Sequence, residues 1–343
     1  MLSEFALIDR YFKRPTRHTV LGVGDDGALI APTPGRELVV STDLLVEDTH
    51  FLADTDAEAL GWKVLAVNVS DLAAMGAQPR WALLAITLPG LADAADPAPG
   101  LAQPAGCAGT EPGPAKPLVR PAPTIEWIAS FARGFFDCAD RHGIDLIGGD
   151  TTCGPCAFCV TILGEVPAGQ ALRRDGARPG DSIWVSGRPG RAALGLAHLQ
   201  GRTTLAEPLL TTCLAALHRP QPRVALAQAL RGIANAAIDV SDGLLADLGH
   251  VLEQSGVAAR LQIPGLPDAG LERDCLLAGG DDYELVFTAA ATFDAEITAL
   301  AGRLDLPLTR IGQIRNGVPG ELVLCDDRGR VITPAHRGYD HFS

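Results

Sequence analysis

The sequence predicts a two-domain α/β protein, with an α+β arrangement as the close variant. Its 343 residues exceed the roughly 100 to 200 of one typical domain, so the chain is long enough for two cores. Hydrophobic residues make up 47% and charged residues 20% of the chain, close to globular averages. Strand-like apolar runs alternate with helical stretches, which is the pattern of mixed α/β folds.

The first half contains short apolar runs and one clear helix, predicted from about Asp56 to Met75. Its apolar residues recur at helical spacing, so one side should face a core: Leu60, Val64, Val67 and Leu72. Asn68 and Asp71 lie three residues apart on a neighbouring face, so they can point together into a shared site.

Residues 92–123 are dominated by Ala, Pro and Gly and show hardly any periodicity. We interpret them as a flexible insertion or surface loop, with a domain border as the alternative. The insertion is favoured because a helix predicted over Thr124 to His142 leads directly into an apolar strand ending in GGD. That order resumes the α/β pattern.

The predicted border lies near residues 167–180, where Pro, Gly and charges separate two strand-like runs. It divides the chain into an amino-terminal domain, 1–167, and a carboxyl-terminal domain, 178–343. The elements predicted for the second half are a strand over Ser182–Val185, helices near 191–200, 204–217 and 222–232, a strand over Ala236–Val240 and a helix over Leu244–Gln254.

The charge balance bears on possible partners. The chain has 28 Lys+Arg against 41 Asp+Glu, a net charge of −13 that repels nucleic acid and anionic membranes. No export signal is visible, and no apolar run approaches the ~20 residues that cross a bilayer. We therefore expect a cytoplasmic protein with no nucleic-acid or membrane partner, whose 8 cysteines are reduced thiols.

The chemical signal is a set of carboxylates beside small or hydroxyl residues, each at the end of an apolar run. They occur in GVGDDGALI (Asp25, Asp26), VVSTD (Asp43), LIGGDTT (Asp150), AIDVSDGL (Asp239, Asp242) and GGDDYEL (Asp281, Asp282), with Asp71 on the predicted helix. Isolated carboxylates are costly to bury, so these should emerge at strand ends that line a cleft.

This pattern favours Mg²⁺ and nucleotide chemistry. Carboxylate and hydroxyl oxygens without clustered His or Cys select Mg²⁺, which is commonly shared between protein acids and substrate phosphates. Any single Asp-Gly segment is more often a turn, but six such places in one chain shift the balance.

Two other motifs carry less weight. No GxxxxGK[ST] loop occurs, and the glycine-rich SGRPGRAALG, with Gly187 and Gly190, fits a helix-capping turn better than a phosphate site. The run Cys153, Cys156, Cys159 lacks a nearby fourth ligand, so we interpret it as buried strand thiols rather than a metal site.

The motifs GVGDDGALI, STDLLVEDTHF, NVSDLAAMGAQP, IGGDTT, AIDVSDGL, GGDDYEL and GYDHF, in this order, resemble the thiamine-monophosphate kinase (thiamine-phosphate kinase) family. That family lies within the aminoimidazole ribonucleotide synthetase-like superfamily. The resemblance implies a sheet-forming amino-terminal domain that dimerises and an α/β carboxyl-terminal domain that closes over nucleotide and substrate. It also implies ATP-dependent phosphorylation of thiamine monophosphate to thiamine diphosphate, the last step of thiamine diphosphate biosynthesis, in a homodimer.

The resemblance further implies residue roles. It assigns several Mg²⁺ ions to Asp26, Ser41, Thr42, Asp43, Asp71, Asp150, Asp239 and Asp242. It assigns ATP contacts to Gly149, Asp150, Arg174 and Ser241. It assigns thiamine-substrate contacts to His50, Asp281 and Tyr339. On residue type alone, three of these residues have a plainer role. His50 could be a surface histidine, Arg174 could belong to a salt-bridge cluster, and Tyr339 could anchor the carboxyl end.

No protein nucleophile or general base is expected, because phosphoryl transfer depends mainly on in-line positioning and charge neutralisation, and a phosphate acceptor is already ionised. Alternatives are another ATP-dependent synthetase of the superfamily, of the selenophosphate or aminoimidazole ribonucleotide type, and a non-catalytic nucleotide or metal sensor. The sequence departs from the family pattern in residues 92–123, at Asp48 and at Asp281, where Glu is frequent.

Overall fold

The computed structural model describes residues 4–90 and 123–339. The predicted insertion, 92–123, lies outside the described residues apart from Pro123. The strands are β1 (Thr19–Leu21), β2 (Leu29–Ile30), β3 (Arg36–Val46), β4 (Gln78–Leu88), β5 (Asp145–Cys153), β6 (Ala157–Pro167), β7 (Asp181–Ser186), β8 (Ala234–Asp239), β9 (Ala258–Gln262), β10 (Leu285–Ala290), β11 (Leu308–Arg315), β12 (Leu322–Cys325) and β13 (Val331–Ile332). The helices are α1 (Glu4–Leu7), α2 (Ala57–Ala74), α3 (Ile125–His142), α4 (Arg191–Leu199), α5 (Leu209–His218), α6 (Val224–Ala229), α7 (Leu244–Ser255), α8 (Leu271–Ala278) and α9 (Asp294–Leu304).

Within residues 4–90 and 123–339 the strands form three sheets, which confirms the predicted mixture of strands and helices. β1 pairs with β2, four strands follow the order β3-β6-β4-β5, and seven follow the order β13-β12-β9-β11-β7-β10-β8. In the seven-stranded sheet β12 and β9 are parallel, whereas β7, β8, β10 and β11 form antiparallel pairs.

Close contacts group the described residues into two compact units. The first draws on the described residues of 1–30, 42–64 and 82–161, and the second on the described residues of 31–41, 65–81 and 162–343. The predicted division into domains of 1–167 and 178–343 stays a prediction.

Helix α2 matches the predicted boundaries to one residue but not the predicted amphipathicity. The successive residues Val64, Leu65 and Ala66 are all 0% exposed, so the helix is buried on every side rather than on one. Even Lys63 is only 3% exposed. A helix that is apolar almost all round belongs inside a core, and α2 has few charged residues to place in solvent.

Helix α3 is fixed at both ends and packs closely on α2. The hydroxyl of Thr124 accepts a hydrogen bond from Trp127 N at 3.2 Å, and Gly143 ends the helix in the left-handed conformation (φ 69°). A Cβ on Gly134 would overlap the carbonyl oxygen of Glu58. One on Gly61 would likewise overlap the carbonyl oxygen of Phe131, so the contact requires glycine on both helices.

Two helices of the second unit are shorter than predicted because prolines and glycine limit them. α5 begins at Leu209 rather than near 204, since Pro208 occupies the N-cap position. α6 begins at Val224, two residues after Pro222, and the chain takes a left-handed conformation at Gly232 (φ 77°). The predicted extension of α6 to residue 232 is therefore wrong.

The seven-stranded sheet has a core on each face, and alternation along β7 shows this directly. Ile183 and Val185 pack with Leu244 and Leu248 of α7. Trp184, between them, belongs to the opposite core with helices α6 and α9. This packing places the end of β8 beside the start of α7, where the acidic segment AIDVSDGL lies.

Candidate functional site

In the second unit, a pair of acidic side chains lies where β8 ends. Asp239 is the last residue of β8, is 4% exposed, and accepts a hydrogen bond from Ser70 Oγ at 2.7 Å. Ser41 Oγ donates to Asp71 Oδ2 at 2.5 Å. Burial and, secondly, the charge of Asp71 raise the pKa of Asp239 to about 7. The carboxylates repel each other, which a bound cation would relieve.

The next turn, Ser241–Gly243, is organised by Asp247, a residue that the sequence analysis missed. Asp247 Oδ2 accepts hydrogen bonds from the backbone N–H groups of Ser241, Asp242 and Gly243 at 3.0, 3.1 and 3.1 Å. Burial, followed by the charge of Asp242, raises the pKa of Asp247 to about 7. The signal was its position in the first turn of α7, where an acid can bind the preceding N–H groups.

We expect Asp247→Ala to disorder this turn, because three buried N–H groups lose their acceptor. The free energy of unfolding should fall by about 2 kcal/mol, the range for an unsatisfied buried donor. The kcat/KM should fall about tenfold or more, because Asp242 loses its position. Hydrogen exchange of a peptide covering residues 238–248, with urea unfolding, checks this. Asp247→Asn keeps an acceptor oxygen and serves as the matched control. Equal exchange in wild type and Asp247→Ala would contradict the role.

Two distant segments are hydrogen-bonded to the same turn. Asp281 N donates to Ser241 O at 2.8 Å, and Tyr339 N donates to Asp242 O at 2.9 Å. Asp281 has a left-handed backbone (φ 72°), and Tyr339 is 54% exposed. The structure therefore brings together AIDVSDGL, GGDDYEL and the Tyr339 segment, which the sequence analysis had linked only by resemblance.

The two other acids of GGDDYEL have structural partners. Asp282 accepts hydrogen bonds from Gly190 N at 2.6 Å and Ala192 N at 3.3 Å, at the start of α4. Burial raises its pKa well above the usual value in spite of these bonds. Glu284 binds Arg223, with Nε–Oε2 2.6 Å, and accepts from Ser186 Oγ at 2.5 Å. The SGRPG turn is thus closed by the chain's own carboxyl group, which supports its interpretation as a capping turn.

Arg174, the remaining predicted ATP contact in this unit, has an exposed side chain. Its carbonyl oxygen accepts a hydrogen bond from Ser255 Oγ at 2.8 Å. The neighbouring ion pair joins Arg173 and Asp175, with an Nη2–Oδ2 distance of 2.5 Å.

In the first unit, a cleft of about 820 Å³ is lined by predicted site residues. Asp26, Gly149 and Asp150 all face it, together with Lys13 and Thr161. Gly149 has φ 150°, and a Cβ there would overlap the carbonyl oxygen of Leu84, so only glycine fits.

The residues predicted on β3 are arranged differently from expectation. Asp43 lies within β3 and Asp150 within β5, so neither stands at a strand end as predicted, whereas Asp239 is the last residue of β8. Both strands extend further because β-branched residues follow the acids or lie beside them. Alternation also sends Thr42 to the opposite face of β3 from Ser41 and Asp43.

Thr42 is hydrogen-bonded to the neighbouring strand β6, and His50 to the turn that follows β3. Thr42 Oγ1 donates to Val160 O at 3.0 Å. His50 Nδ1 accepts from Val46 N at 3.1 Å, which closes the turn after β3. Asp48 in this turn has φ 63°, a conformation that Asp tolerates better than most residues.

The cysteine prediction was correct in part. Cys156 is buried, but Cys159 is only partly buried and Cys153, at the end of β5, is exposed. In residues 4–90 and 123–339, no three His, Cys, Asp or Glu side chains are grouped so that they could hold a metal ion. Within the same ranges, no helix has the length and apolarity needed to cross a membrane.

The donor chemistry nevertheless fits Mg²⁺. The predicted ligands offer only carboxylate and hydroxyl oxygens, and Asp71 and Asp239 interact electrostatically within one unit. The full set of eight ligands remains a prediction.

Comparisons with known proteins agree across the whole chain. Family models described as AIR synthase related protein match residues 24–166 (N-terminal domain) and 178–324 (C-terminal domain). Thiamine-monophosphate kinase of Escherichia coli (strain K12) is 40% identical over 354 residues, covering 99% of this chain and 98% of the relative. The chain belongs to the thiamine-monophosphate kinase family. It is therefore an enzyme, a kinase.

Solved structures place this kinase in the same group. The crystal structure of thiamine-monophosphate kinase from Stenotrophomonas maltophilia K279a matches with a TM-score of 0.76 and 44% identity, covering 96% of this chain and 98% of that one. A structure of AaThiL complexed with AMPPCP and TMP matches with a TM-score of 0.69 and 27% identity, covering 99% and 97%. The hydrogenase maturation protein HypE, at 18% identity and a TM-score of 0.71, shares the fold alone.

Proposed function

We propose that this kinase transfers the γ-phosphoryl group of ATP to thiamine monophosphate and so forms thiamine diphosphate, the last step of its biosynthesis. The observation that carries the proposal is the convergence of the Asp239–Asp242, Asp281 and Tyr339 segments on one turn. The family supports it, because AaThiL is described in complex with both AMPPCP and TMP.

The proposed acceptor contacts are Asp281, Tyr339 and His50. Tyr339 is exposed enough to stack on a heteroaromatic ring, and its backbone is tied to the acidic turn. Asp281 can pair with an amino or cationic group of the same ligand. On the nucleotide side, the proposed contacts are Gly149, Asp150, Arg174 and Ser241, of which Gly149 permits close backbone approach.

Mg²⁺ would be held by the carboxylates and hydroxyls named above, Asp26, Ser41, Thr42, Asp43, Asp71, Asp150, Asp239 and Asp242. Once bound, it supplies positive charge that offsets the repulsion between two phosphate groups. The protein's own contribution is to hold donor and acceptor in line. A phosphate monoester is largely ionised near neutral pH, so the site needs no general base and no phospho-enzyme.

We further propose that the kinase is a cytoplasmic homodimer. β3 is an edge strand of the four-stranded sheet, and apolar side chains on it are exposed: Leu38 (42%), Val40 (59%) and Leu44 (55%). An exposed apolar row on an edge strand favours association with another chain.

The test is incubation with Mg–ATP and thiamine monophosphate, followed by separation of the products. We expect thiamine diphosphate from the monophosphate and none from unphosphorylated thiamine. Asp43→Asn and Asp150→Asn should lower kcat by about 10²- to 10³-fold, the loss typical of one charge-stabilising group.

The matched control is Asp268→Asn, an exposed acid in the loop before α8, which should leave turnover unchanged. Saturable Mg–ATP binding without any thiamine diphosphate would disprove the acceptor. Full activity in Asp43→Asn or Asp150→Asn would instead remove that residue from the site.

A further inference from the structure

A small recess in the second unit is lined mainly by arginine. Arg36 opens β3, Arg80 lies in β4, and Arg231 follows α6. With Gln78 and Gln228 they enclose about 330 Å³, and none of these described lining residues is acidic. We call this feature the arginine recess. It is a local reversal of charge on a chain whose net charge is −13.

The positive charge of the recess is only partly compensated. Arg80 Nε lies 3.3 Å from Glu165 Oε2. That carboxylate is 1% exposed and also accepts hydrogen bonds from Thr33 N at 2.6 Å and Thr33 Oγ1 at 2.8 Å. Among the described residues, no carboxylate forms an ion pair with Arg36 or Arg231.

One nitrogen of the Arg231 guanidinium has no hydrogen-bond acceptor in the described part of the chain. Its Nε donates to Gln228 O at 3.2 Å. Its Nη1 is buried and has no hydrogen-bond partner within the described part of the chain. A charged donor withdrawn from water without an acceptor is unfavourable, so the guanidinium of Arg231 would gain from a nearby negative charge.

The two glutamines hold the wall of the recess in place. Gln228 Nε2 donates to Gln78 Oε1 at 2.8 Å, which links α6 to β4. The arginines therefore come from three elements whose side chains are held at one location. Guanidinium groups match the oxygens of phosphate in fork geometry, and several of them together are typical of phosphate recognition.

We propose that the arginine recess binds a small phosphate-bearing anion, either inorganic phosphate or the phosphate group of a small ester. Its volume lies at the lower end for ligand pockets, which suits one phosphate with a small substituent. None of its residues is a proposed ATP, Mg²⁺ or thiamine contact, so this site is additional to the one described above.

The experiment is calorimetric titration of the full chain with inorganic phosphate and, separately, ribose 5-phosphate, at constant ionic strength. Wild type is compared with Arg36→Ala, Arg231→Ala and the control Arg315→Ala, an exposed arginine at the end of β11. We expect saturable binding that both recess variants weaken about tenfold or more, as for loss of a charge-assisted bond. Arg315→Ala should bind like wild type.

The probe that binds more tightly identifies the source of the phosphate. No saturable binding of either probe overturns the proposal, and so does binding that is equally strong in all four proteins. Arg36 is exposed, so Arg36→Ala should remain folded even where Arg231→Ala does not. Circular dichroism of each variant checks this.

Discussion

Asp239→Asn is expected to stabilise the ligand-free protein above pH 7 and to lower the rate of phosphoryl transfer by about 10²- to 10³-fold. Asp239 is buried at the end of β8, where burial and the nearby charge of Asp71 raise its pKa to about 7. Asparagine has the shape of the protonated acid and can still accept the hydrogen bond from Ser70. It cannot ionise, so it avoids the cost of burying the charge.

Because the folded protein raises the pKa of Asp239, its stability should decrease as the pH rises. An unfolded Asp has a pKa of about 3.9. Between about pH 4 and pH 7 the folded protein keeps a proton that the unfolded chain has lost. Stability therefore falls by up to about 1.4 kcal/mol per pH unit as the pH rises through this window. The loss is complete above pH 7 and absent below pH 4, and it should total roughly 2 to 4 kcal/mol.

Other groups contribute to the absolute curve, so the difference between the two proteins is the quantity to measure. Asp247 has a pKa raised to about 7 and contributes with the same sign. His142, whose pKa burial lowers to about 4, contributes with the opposite sign, because stability is lost as the pH falls below about 6.5. These contributions cancel between the proteins to the extent that the sites are independent.

Urea unfolding of wild type and Asp239→Asn at pH 5 and pH 8, with metal chelated, gives the change of unfolding free energy with pH for each protein. Added Mg²⁺ at pH 8 should stabilise wild type more than the variant, since a ligand that binds only the folded state stabilises it. Identical pH slopes would show that Asp239 titrates normally. Undiminished thiamine diphosphate formation by the variant would remove it from the site.

Gly134→Ala should destabilise the protein by about 3 kcal/mol or more, the upper range for forcing an atom into a packed core. The added methyl group would overlap the carbonyl oxygen of Glu58 on α2, and backbone cannot rotate away as a side chain can. One of the two helices would have to move. The measurement is the midpoint and slope of urea unfolding.

The matched control is Gly302→Ala in α9, another helical glycine, where nothing lies within 4 Å of an added Cβ. It should stabilise the protein by about 0.5 to 1 kcal/mol, because alanine is the better helix former. If both variants shifted stability in the same direction, the close contact between α2 and α3 would not explain the glycine.

The sequence allowed the fold class and most helices to be predicted, because periodicity and capping signals are local. α3 is the clearest case, with Thr124 before it and Gly143 after it. The all-round burial of α2 agrees with its few charged residues, whereas the helical spacing of Leu60, Val64, Val67 and Leu72 indicates only one buried side. α5 and α6 are shorter than their apolar periodicity predicts, because Pro208 and Pro222 delay their starts and α6 ends at Ala229.

The candidate site was predictable as a set of acids but not as a geometry. Resemblance assigned roles to Asp239, Asp242 and Asp281, but it gave no role to Asp247 or Asp282, which bind backbone N–H groups. All are Asp residues, and only the folded chain shows which of their oxygen atoms already have hydrogen-bond donors. Asn or Ala variants distinguish these two classes in solution.

The Asp282 carboxyl group, which is part of the chain, also competes with free anions for the N–H groups at the start of α4. It already accepts hydrogen bonds from N–H groups at the start of α4. In a strand, glycine turn and helix, such N–H groups can otherwise bind a phosphate. A free anion would have to displace a group whose effective concentration is set by the chain itself, in the millimolar range or above. This kinase thus satisfies the N–H groups of its glycine turn with its own carboxyl group, so that these groups are not free to bind a phosphate.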